Sequence, residues 1–142
     1  MKNRNSEILF FLGSKDPLIV LKKWLKAAQK IPRLKEPWAM CLSTVSSKKK
    51  SQSRIVLLKK LEKNQLLFFT NYLSPKAKDL KKNPEASVVF FWPQIQKQIR
   101  ISGPVKKTSR KISCNYWKKR SRNSQLSQYI SQQSQEIKDR NS

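Results

Sequence analysis

The apolar residues of this chain change their spacing near Trp38, and that change constrains the fold more than any other feature of the sequence. Before Trp38, apolar residues recur three and four positions apart, which predicts a helix from Pro17 to about Lys30. Asp16 is suited to cap this helix, and Pro17 to occupy its first turn. After Trp38, short runs rich in β-branched and aromatic residues alternate with polar segments, which is typical of strands.

Five such runs predict an antiparallel meander, with strands at 38–45, 54–61, 66–70, 87–92 and 96–105. Ser74 and Pro75 repeat the cap-then-proline signal and predict a short helix that ends near Asn83. A further helical region begins at Ser109 and is interrupted at 120–125. This order of elements predicts a mainly β fold of the α+β kind, a small closed barrel with peripheral helices.

Aromatic residues stand next to one another in the predicted strands, namely Phe68, Phe69, Phe90, Phe91 and Trp92. Neighbouring residues of a strand point to opposite faces, so these rings are expected to fill the core rather than to form a stacking platform for bases. The two cysteines, Cys41 and Cys114, belong to no CxxC pair. We expect them to be buried thiols in a reducing compartment.

A length of 142 residues and a hydrophobic content of 37% suit one domain with its own core. We expect a mobile N-terminal arm at 1–15, a folded domain at 16–137 and a polar tail at 138–142. No apolar stretch approaches the roughly 18 residues of a membrane span. A protein without a membrane anchor, located in the cytoplasm, is therefore predicted.

Residue types that the sequence lacks exclude several classes of site. The absence of His excludes Ser-His-Asp and Cys-His catalysis and the HExxH zinc motif, and no metal site is predicted. Gly13 and Gly103 are the two glycines, so neither GxGxxG nor a P-loop can be written. A phosphate group would have to be held by cationic side chains or by helix N-termini.

The net charge of +24 favours polyanionic partners, because cations that neutralise phosphates release counterions. Nucleic acid is therefore an alternative partner. The Lys residues are nevertheless spread along the chain and outnumber Arg, whose fork suits contacts to specific bases. This pattern favours a solvated surface and, at most, non-specific binding of nucleic acid.

The run from Ser53 to Lys59 has an Arg near one end and a Lys at the other, and such a strand can hold an anionic ligand against a sheet. The run from Phe68 to Tyr72 supplies a neighbouring strand that ends in hydrogen-bonding groups. Arg54 and Lys59 are an odd number of residues apart, so on a regular strand they face opposite sides. A bulge, the end of the strand or a site shared by two subunits would let both reach one ligand.

From about Asp16 to Gln135 the chain resembles the pyridoxamine 5'-phosphate oxidase family. The matching residues occur in the family's order and spacing: Asp16-Pro17 with Trp24-Leu25, Ala39-Met40, Arg54 to Lys59, Phe68 with Thr70-Asn71-Tyr72, Asn83-Pro84, Phe91-Trp92, Gln98, Gly103, Tyr116, Arg120-Ser121-Arg122 with Ser124-Gln125, and Gln133-Ser134.

The resemblance implies an antiparallel FMN-binding split barrel that forms a homodimer with FMN at the interface. It implies that the cofactor contacts are Arg54, Ile55, Val56, Leu57, Leu58, Lys59, Phe69, Thr70, Lys76, Gln98, Gln133 and Ser134. The implied contacts to the phosphorylated pyridine substrate are Lys59, Tyr116, Arg120 and Ser124. Tyr, Arg and Ser fit that role, since they supply an aromatic ring and donors to a phosphate.

The resemblance also implies an oxidase that converts pyridoxamine or pyridoxine 5'-phosphate to pyridoxal 5'-phosphate with dioxygen as acceptor. Pro75 stands where the family has an Arg that helps to hold the FMN phosphate. The family continues through a C-terminal segment that has no counterpart before Ser142, so we expect a shortened enzyme. Two alternatives stay open: an FMN-binding split-barrel protein without this activity, and a basic module that binds nucleic acid.

Overall fold

The computed structural model of the chain describes residues 16–62 and 65–130. The predicted arm at 1–15, the predicted tail at 138–142, and Gln133 and Ser134 lie outside these residues. The elements follow in the order α1 (Pro17–Gln29), β1 (Ala39–Val45), β2 (Ser51–Glu62), β3 (Gln65–Phe68), α2 (Pro75–Lys82), β4 (Glu85–Trp92), a short 3-10 turn (Pro93–Ile95), β5 (Lys97–Pro104), α3 (Arg110–Lys119) and α4 (Arg122–Ile130).

Helix α1 begins as the sequence predicts. The Asp16 Oδ1 atom accepts a hydrogen bond of 2.9 Å from the Leu18 backbone N–H, and Pro17 occupies the first turn. The apolar side of α1 is buried through Val20, Leu21, Leu25 and Ala28.

The described strands form one five-stranded sheet in the order β3-β2-β1-β4-β5. The pairing of β2 with β3 is antiparallel. The predicted mainly β, antiparallel fold with peripheral helices is confirmed. In the described part of the chain, β3 and β5 are the two edges of the sheet. The five described strands therefore do not close into a complete barrel.

The chain divides into two compact units. Of the described residues, unit 1 contains 16–42, 54–62, 65–68 and 88–101, and unit 2 contains 43–53, 69–87 and 102–130. In unit 1, α1 packs on one face of the strands and forms a core cluster of Leu21, Leu25, Ala28, Met40, Leu58, Phe90 and Trp92. The Trp92 Nε1–H donates to the Pro37 carbonyl at 2.9 Å, so the buried indole keeps its hydrogen bond.

The other face of the unit 1 strands leaves apolar side chains exposed. Phe90 and Trp92 are buried, but Phe91 between them is 60% exposed. Ile55 on β2 is 67% exposed. The prediction that the adjacent aromatic residues all fill the core is therefore wrong for Phe91, because the core of unit 1 covers a single face of β4.

Unit 2 contains a buried polar contact between β1 and α2. Thr44, 1% exposed, donates from Oγ1 to Oδ2 of Asp79, which is 8% exposed, at 3.1 Å. A buried hydroxyl and a buried carboxylate each need such a partner, because desolvation without a hydrogen bond is costly. This bond fixes α2 to the end of β1.

The final helical region differs from the prediction in two respects. The interruption is confined to Arg120 and Ser121, and α4 already begins at Arg122. Cys114 is exposed on α3 and Cys41 is half-buried, and both are free thiols, so the prediction of two buried thiols is wrong. Among the described residues, no helix has the length and apolar character needed to cross a membrane.

The Thr44–Asp79 contact predicts a specific loss of stability. Replacing Asp79 with Ala removes the acceptor of a buried hydroxyl, and the free energy of unfolding should fall by about 1–3 kcal/mol. Urea denaturation measures this loss. Glu85→Ala is the matched control, because it removes the same charge from an exposed position. Equal losses in the two variants would contradict the role of the contact and indicate an effect of net charge alone.

Candidate cofactor and substrate site

The β2 run predicted to contact FMN presents alternate residues to two faces. Val56 and Leu58 pack on the unit 1 core, and Arg54 lies on the same side of the strand, half-buried. The Arg54 Nη1 group donates to the Leu42 carbonyl at 3.3 Å. Lys59 is exposed. Arg54 and Lys59 therefore face opposite sides of β2, as their odd separation predicts.

A β-bulge lies at Lys59. Leu58 pairs with Phe68 and Lys60 pairs with Leu67, so β2 has one residue more than β3 at this point. The extra residue explains why Leu58 and Leu61 both pack on the core although they are three positions apart. It also leaves Lys59 and the neighbouring Lys60 exposed together. The bulge thus removes Lys59 from the regular pairing of β2 with β3. It does not bring Lys59 to the side of β2 on which Arg54 lies.

Lys59 lines an open pocket of about 240 Å³ in unit 1. The other lining residues are Glu36, Trp38, Leu57 and Leu58. The volume lies below the roughly 300–1,000 Å³ of pockets for drug-sized ligands, so it suits one small ring rather than a whole nucleotide cofactor. An indole, two Leu side chains and an ammonium group can contact an aromatic ring, but the Glu36 carboxylate in the same lining opposes an anionic substituent.

Gln98, another predicted FMN contact, is exposed on β5 beside Arg100 on the same face. Ile99 and Ile101 point the other way and pack on the core. β1 and β4 lie between β2 and β5 in the sheet. The structure therefore leaves Gln98 accessible but does not place it next to the β2 run.

In unit 2, Phe69 stacks on Tyr116. Their ring centroids lie 3.7 Å apart and the ring planes differ by 2°. Phe69 is a predicted FMN contact and Tyr116 a predicted substrate contact, so the fold brings one residue of each group together. Phe69 covers one face of the half-buried Tyr116 ring and holds that ring in place.

The segment from Thr70 to Lys76 places hydroxyl groups and a cation at the start of α2. The Thr70 and Ser74 hydroxyls lie 3.4 Å apart, and Ser74 donates to the Asn71 carbonyl at 2.7 Å. The Ser74 side chain does not cap α2. Pro75 in the first turn has no N–H to donate, so Lys76 supplies the cationic donor at this helix end.

Arg120 and Ser124 flank the turn between α3 and α4, and both are half-buried. The Arg120 guanidinium lies 5.7 Å from the Trp117 ring centroid, a cation–π distance. Ser121 donates to the Ser124 hydroxyl at 2.8 Å and accepts from the Ser124 backbone N–H at 3.3 Å. The turn therefore carries a guanidinium and a hydroxyl, both of which can donate to a phosphate.

Gln125 is a residue that the predicted contact set omits. Its Nε2 group donates to the Trp117 carbonyl at 2.8 Å and to the Arg120 carbonyl at 3.3 Å. These bonds satisfy carbonyls at the end of α3 and fix the backbone of Arg120. The Ser124-Gln125 pair in the family pattern was the available signal. Gln133 and Ser134, the remaining predicted FMN contacts, lie outside the described residues.

Curated relatives match most of this chain. The protein from Leptospira interrogans serogroup Icterohaemorrhagiae serovar copenhageni, a pyridoxine/pyridoxamine 5'-phosphate oxidase, is 45% identical over 88% of the chain and 58% of its own length. The protein of the same name from Microcystis aeruginosa is 44% identical over 94% of the chain and 62% of its own length. The chain thus spans about three fifths of the length of these relatives.

Solved structures share the fold. PhzG from Burkholderia lata 383, in complex with tetrahydrophenazine-1-carboxylic acid, has a TM-score of 0.83 and 29% identity over 91% of this chain and 63% of its own. A pyridoxamine 5'-phosphate oxidase-related, FMN binding protein from Nostoc punctiforme has a TM-score of 0.64 and 18% identity over 80% of this chain and 63% of its own. The second likeness concerns the fold alone.

A family model described as pyridoxamine 5'-phosphate oxidase matches residues 26–142. This range includes every predicted cofactor and substrate contact. The chain belongs to the pyridoxamine 5'-phosphate oxidase family.

Proposed function

We propose that the chain is an FMN-dependent oxidase of the cytoplasm that converts pyridoxamine or pyridoxine 5'-phosphate to pyridoxal 5'-phosphate, with dioxygen as acceptor. The observation that carries the proposal is the stack of Phe69 on Tyr116, because it joins a predicted cofactor contact to a predicted substrate contact. The names of the relatives at 44–46% identity support the substrate class.

The residues present fit the chemical groups of FMN. Its phosphate needs cations and hydrogen-bond donors, and the start of α2 supplies Lys76 and the Thr70 hydroxyl. Its ring edge needs donors and acceptors, and the exposed amide of Gln98 has both. Arg54 carries a guanidinium with five N–H groups, and its Nη1 group donates to the Leu42 carbonyl. Side chains therefore replace the glycine loop that the sequence lacks.

The chemistry that bound FMN supplies is acceptance of a hydride equivalent from the 4' carbon of the substrate and return of the electrons to dioxygen. The chain binds and orients the substrate. In unit 2, Arg120 and Ser124 hold its phosphate and Tyr116 positions the pyridine ring; Lys59 of unit 1 is a further proposed substrate contact. Binding energy at the phosphate is remote from the reacting carbon and therefore serves to orient it. This division of roles requires no His.

A second copy of the chain is the proposed occupant of the outer face of the unit 1 strands. Ile55 and Phe91 are 67% and 60% exposed there, and Leu57 and Val89 are half-buried on the same side. β2 and β4 lie on either side of β1 in the sheet. Water contact with their large apolar side chains is unfavourable, and a partner would remove it. A dimer would also let Arg54 and Lys59, on opposite sides of β2, serve different ligand groups or different sites.

An FMN-binding protein without B6 oxidase activity is the second candidate. The chain spans less than two thirds of its oxidase relatives, and PhzG, which shares the fold at a TM-score of 0.83, is in complex with a different type of ligand. Both candidate functions require flavin binding, and only the first includes oxidation of pyridoxamine or pyridoxine 5'-phosphate.

Purified protein should bind one FMN per chain and show the absorbance of an oxidised flavin. Adding pyridoxine 5'-phosphate under air should then release hydrogen peroxide, because dioxygen takes up the electrons. Absorbance spectroscopy and a peroxide assay measure the two steps separately. Flavin binding without peroxide selects the second candidate, and failure to bind flavin contradicts both.

Arg120→Ala should raise the KM for pyridoxine 5'-phosphate by about tenfold to a hundredfold, since a charge-assisted hydrogen bond is lost. The Kd for FMN should change less than about twofold. Steady-state kinetics and flavin fluorescence quenching give the two values. Arg122→Ala removes the same charge two residues away, at an exposed position, and should change neither. Equal weakening of substrate and FMN in Arg120→Ala would contradict the assignment.

Ile55→Asp should convert the dimer to monomers, because it places a carboxylate in the centre of the apolar face. Analytical ultracentrifugation measures the change. Ile19→Asp is the control, since Ile19 is 51% exposed on α1 away from that face. A monomeric wild-type protein, or an Ile55→Asp variant that remains dimeric, would contradict the proposed interface.

A further inference from the structure

The exposed side of α3 and the segment before it carry cationic side chains and no acidic ones. We define the α3 basic surface as Lys106, Lys107, Arg110, Lys111, Lys118 and Lys119, all of them exposed. The sequence has no acidic residue between Ala86 and Gln135. In the described part of unit 2, the acidic residues are Asp79, which is buried, and Glu85. The potential of the surface is therefore strongly positive.

Three of the four cations within the helix occupy one side of it, and Lys119 lies about 80° beyond their arc. At about 100° per residue, Arg110, Lys111 and Lys118 fall within an arc of about 100°. The half-buried residues Ser113 and Tyr116 lie on the other side of α3. The ten residues of the helix extend about 15 Å, so the cations at its two ends are separated by the length of a few nucleotides.

The two cations at the start of α3 do not serve the helix itself. Arg110 and Lys111 lie in the first turn, where the helix dipole favours negative charge, whereas Lys118 and Lys119 lie in the last turn, where it favours cations. The helix has no acidic residue four positions from any of its cations, so no stabilising i,i+4 ion pair forms within it. A polyanion bound near Arg110 and Lys111 would offset their unfavourable interaction with the dipole.

Exposed aromatic rings accompany cations at both ends of α3. Near its start, the Lys107 ammonium lies 4.3 Å from the Tyr72 ring centroid, and Tyr72 is 52% exposed. Near its end, Arg120 lies beside the ring of Trp117, which is 39% exposed. Cations that follow a phosphate backbone, combined with rings on which unpaired bases can stack, are the features of surfaces that bind single strands.

We propose that the α3 basic surface binds single-stranded nucleic acid without strong sequence preference. Its Lys and Arg side chains contact phosphates, and Tyr72 and Trp117 stack on bases. Lys predominates over Arg in the surface, and an ammonium is a point charge that does not read base edges in a fixed geometry. This activity goes beyond the proposed oxidase and does not depend on flavin or substrate.

The first experiment separates a local surface from general charge attraction. Fluorescence anisotropy of a labelled 20-nucleotide oligo-dT measures the Kd of the full chain over a range of KCl concentrations. The variant K111Q/K118Q/K119Q should bind more weakly, and the slope of log K against log salt should decrease in magnitude by about 2, since each lost phosphate contact contributes about 0.7.

The matched control is K22Q/K26Q/K30Q, which removes three exposed charges on and next to α1 in unit 1. It should retain the slope of the wild-type protein. Circular dichroism checks that both variants are folded. If the two variants weaken binding equally, the attraction comes from net charge and the proposed surface is overturned.

The second experiment uses the unmodified protein and tests the class of partner. Binding to oligo-dT should be tighter than binding to a duplex of the same length and to vesicles of anionic lipid. Tyr72→Leu should weaken oligo-dT binding by about tenfold, because a base loses its stacking partner, and leave duplex binding unchanged. Equal or tighter binding of the duplex or the vesicles would overturn the proposal.

Discussion

The packing of α1 on one face of the strands is the interaction on which unit 1 depends. Leu21, Leu25 and Ala28 of the helix meet Met40 and Phe90 of the sheet in one buried cluster. Each strand residue that this cluster uses directs its neighbours to the opposite face. The position of the helix therefore determines which residues of β2 and β4 are buried in the core and which remain available to contact ligands or another chain. In that sense the core determines the position of the candidate site.

The bulge at Lys59 affects both the packing of the core and the exposure of cationic side chains. Without an extra residue, Leu58 and Leu61 could not both pack on the core, because side chains of a regular strand alternate with a period of two. The bulge keeps Leu58 buried and Leu61 packed on the core, and it leaves two consecutive Lys residues exposed. The cationic character of this end of β2 is therefore a consequence of its packing.

Local signals in the sequence predicted the helices and strands well. The features that they did not predict depend on contacts between residues that are distant in sequence. The Asp16-Pro17 cap and the β-branched runs act over a few residues, so α1 and the strands were predictable. The 60% exposure of Phe91 was not, because it depends on which face of β4 the helix covers. The stack of Phe69 on Tyr116 joins residues 47 positions apart in sequence. The family pattern placed both residues in the site but gave no reason for their contact.

Charge adds a constraint that packing alone does not explain. A net charge of +24 on a chain this small opposes compaction through self-repulsion, and Arg110 and Lys111 lie in the first turn of α3, where the helix dipole disfavours cations. A phosphorylated cofactor and substrate neutralise only a few of these charges. The cations of the α3 basic surface are also distinct from Lys76, Arg120 and the other predicted phosphate contacts. A longer polyanion would relieve the repulsion over the whole helix, which neither small ligand can do.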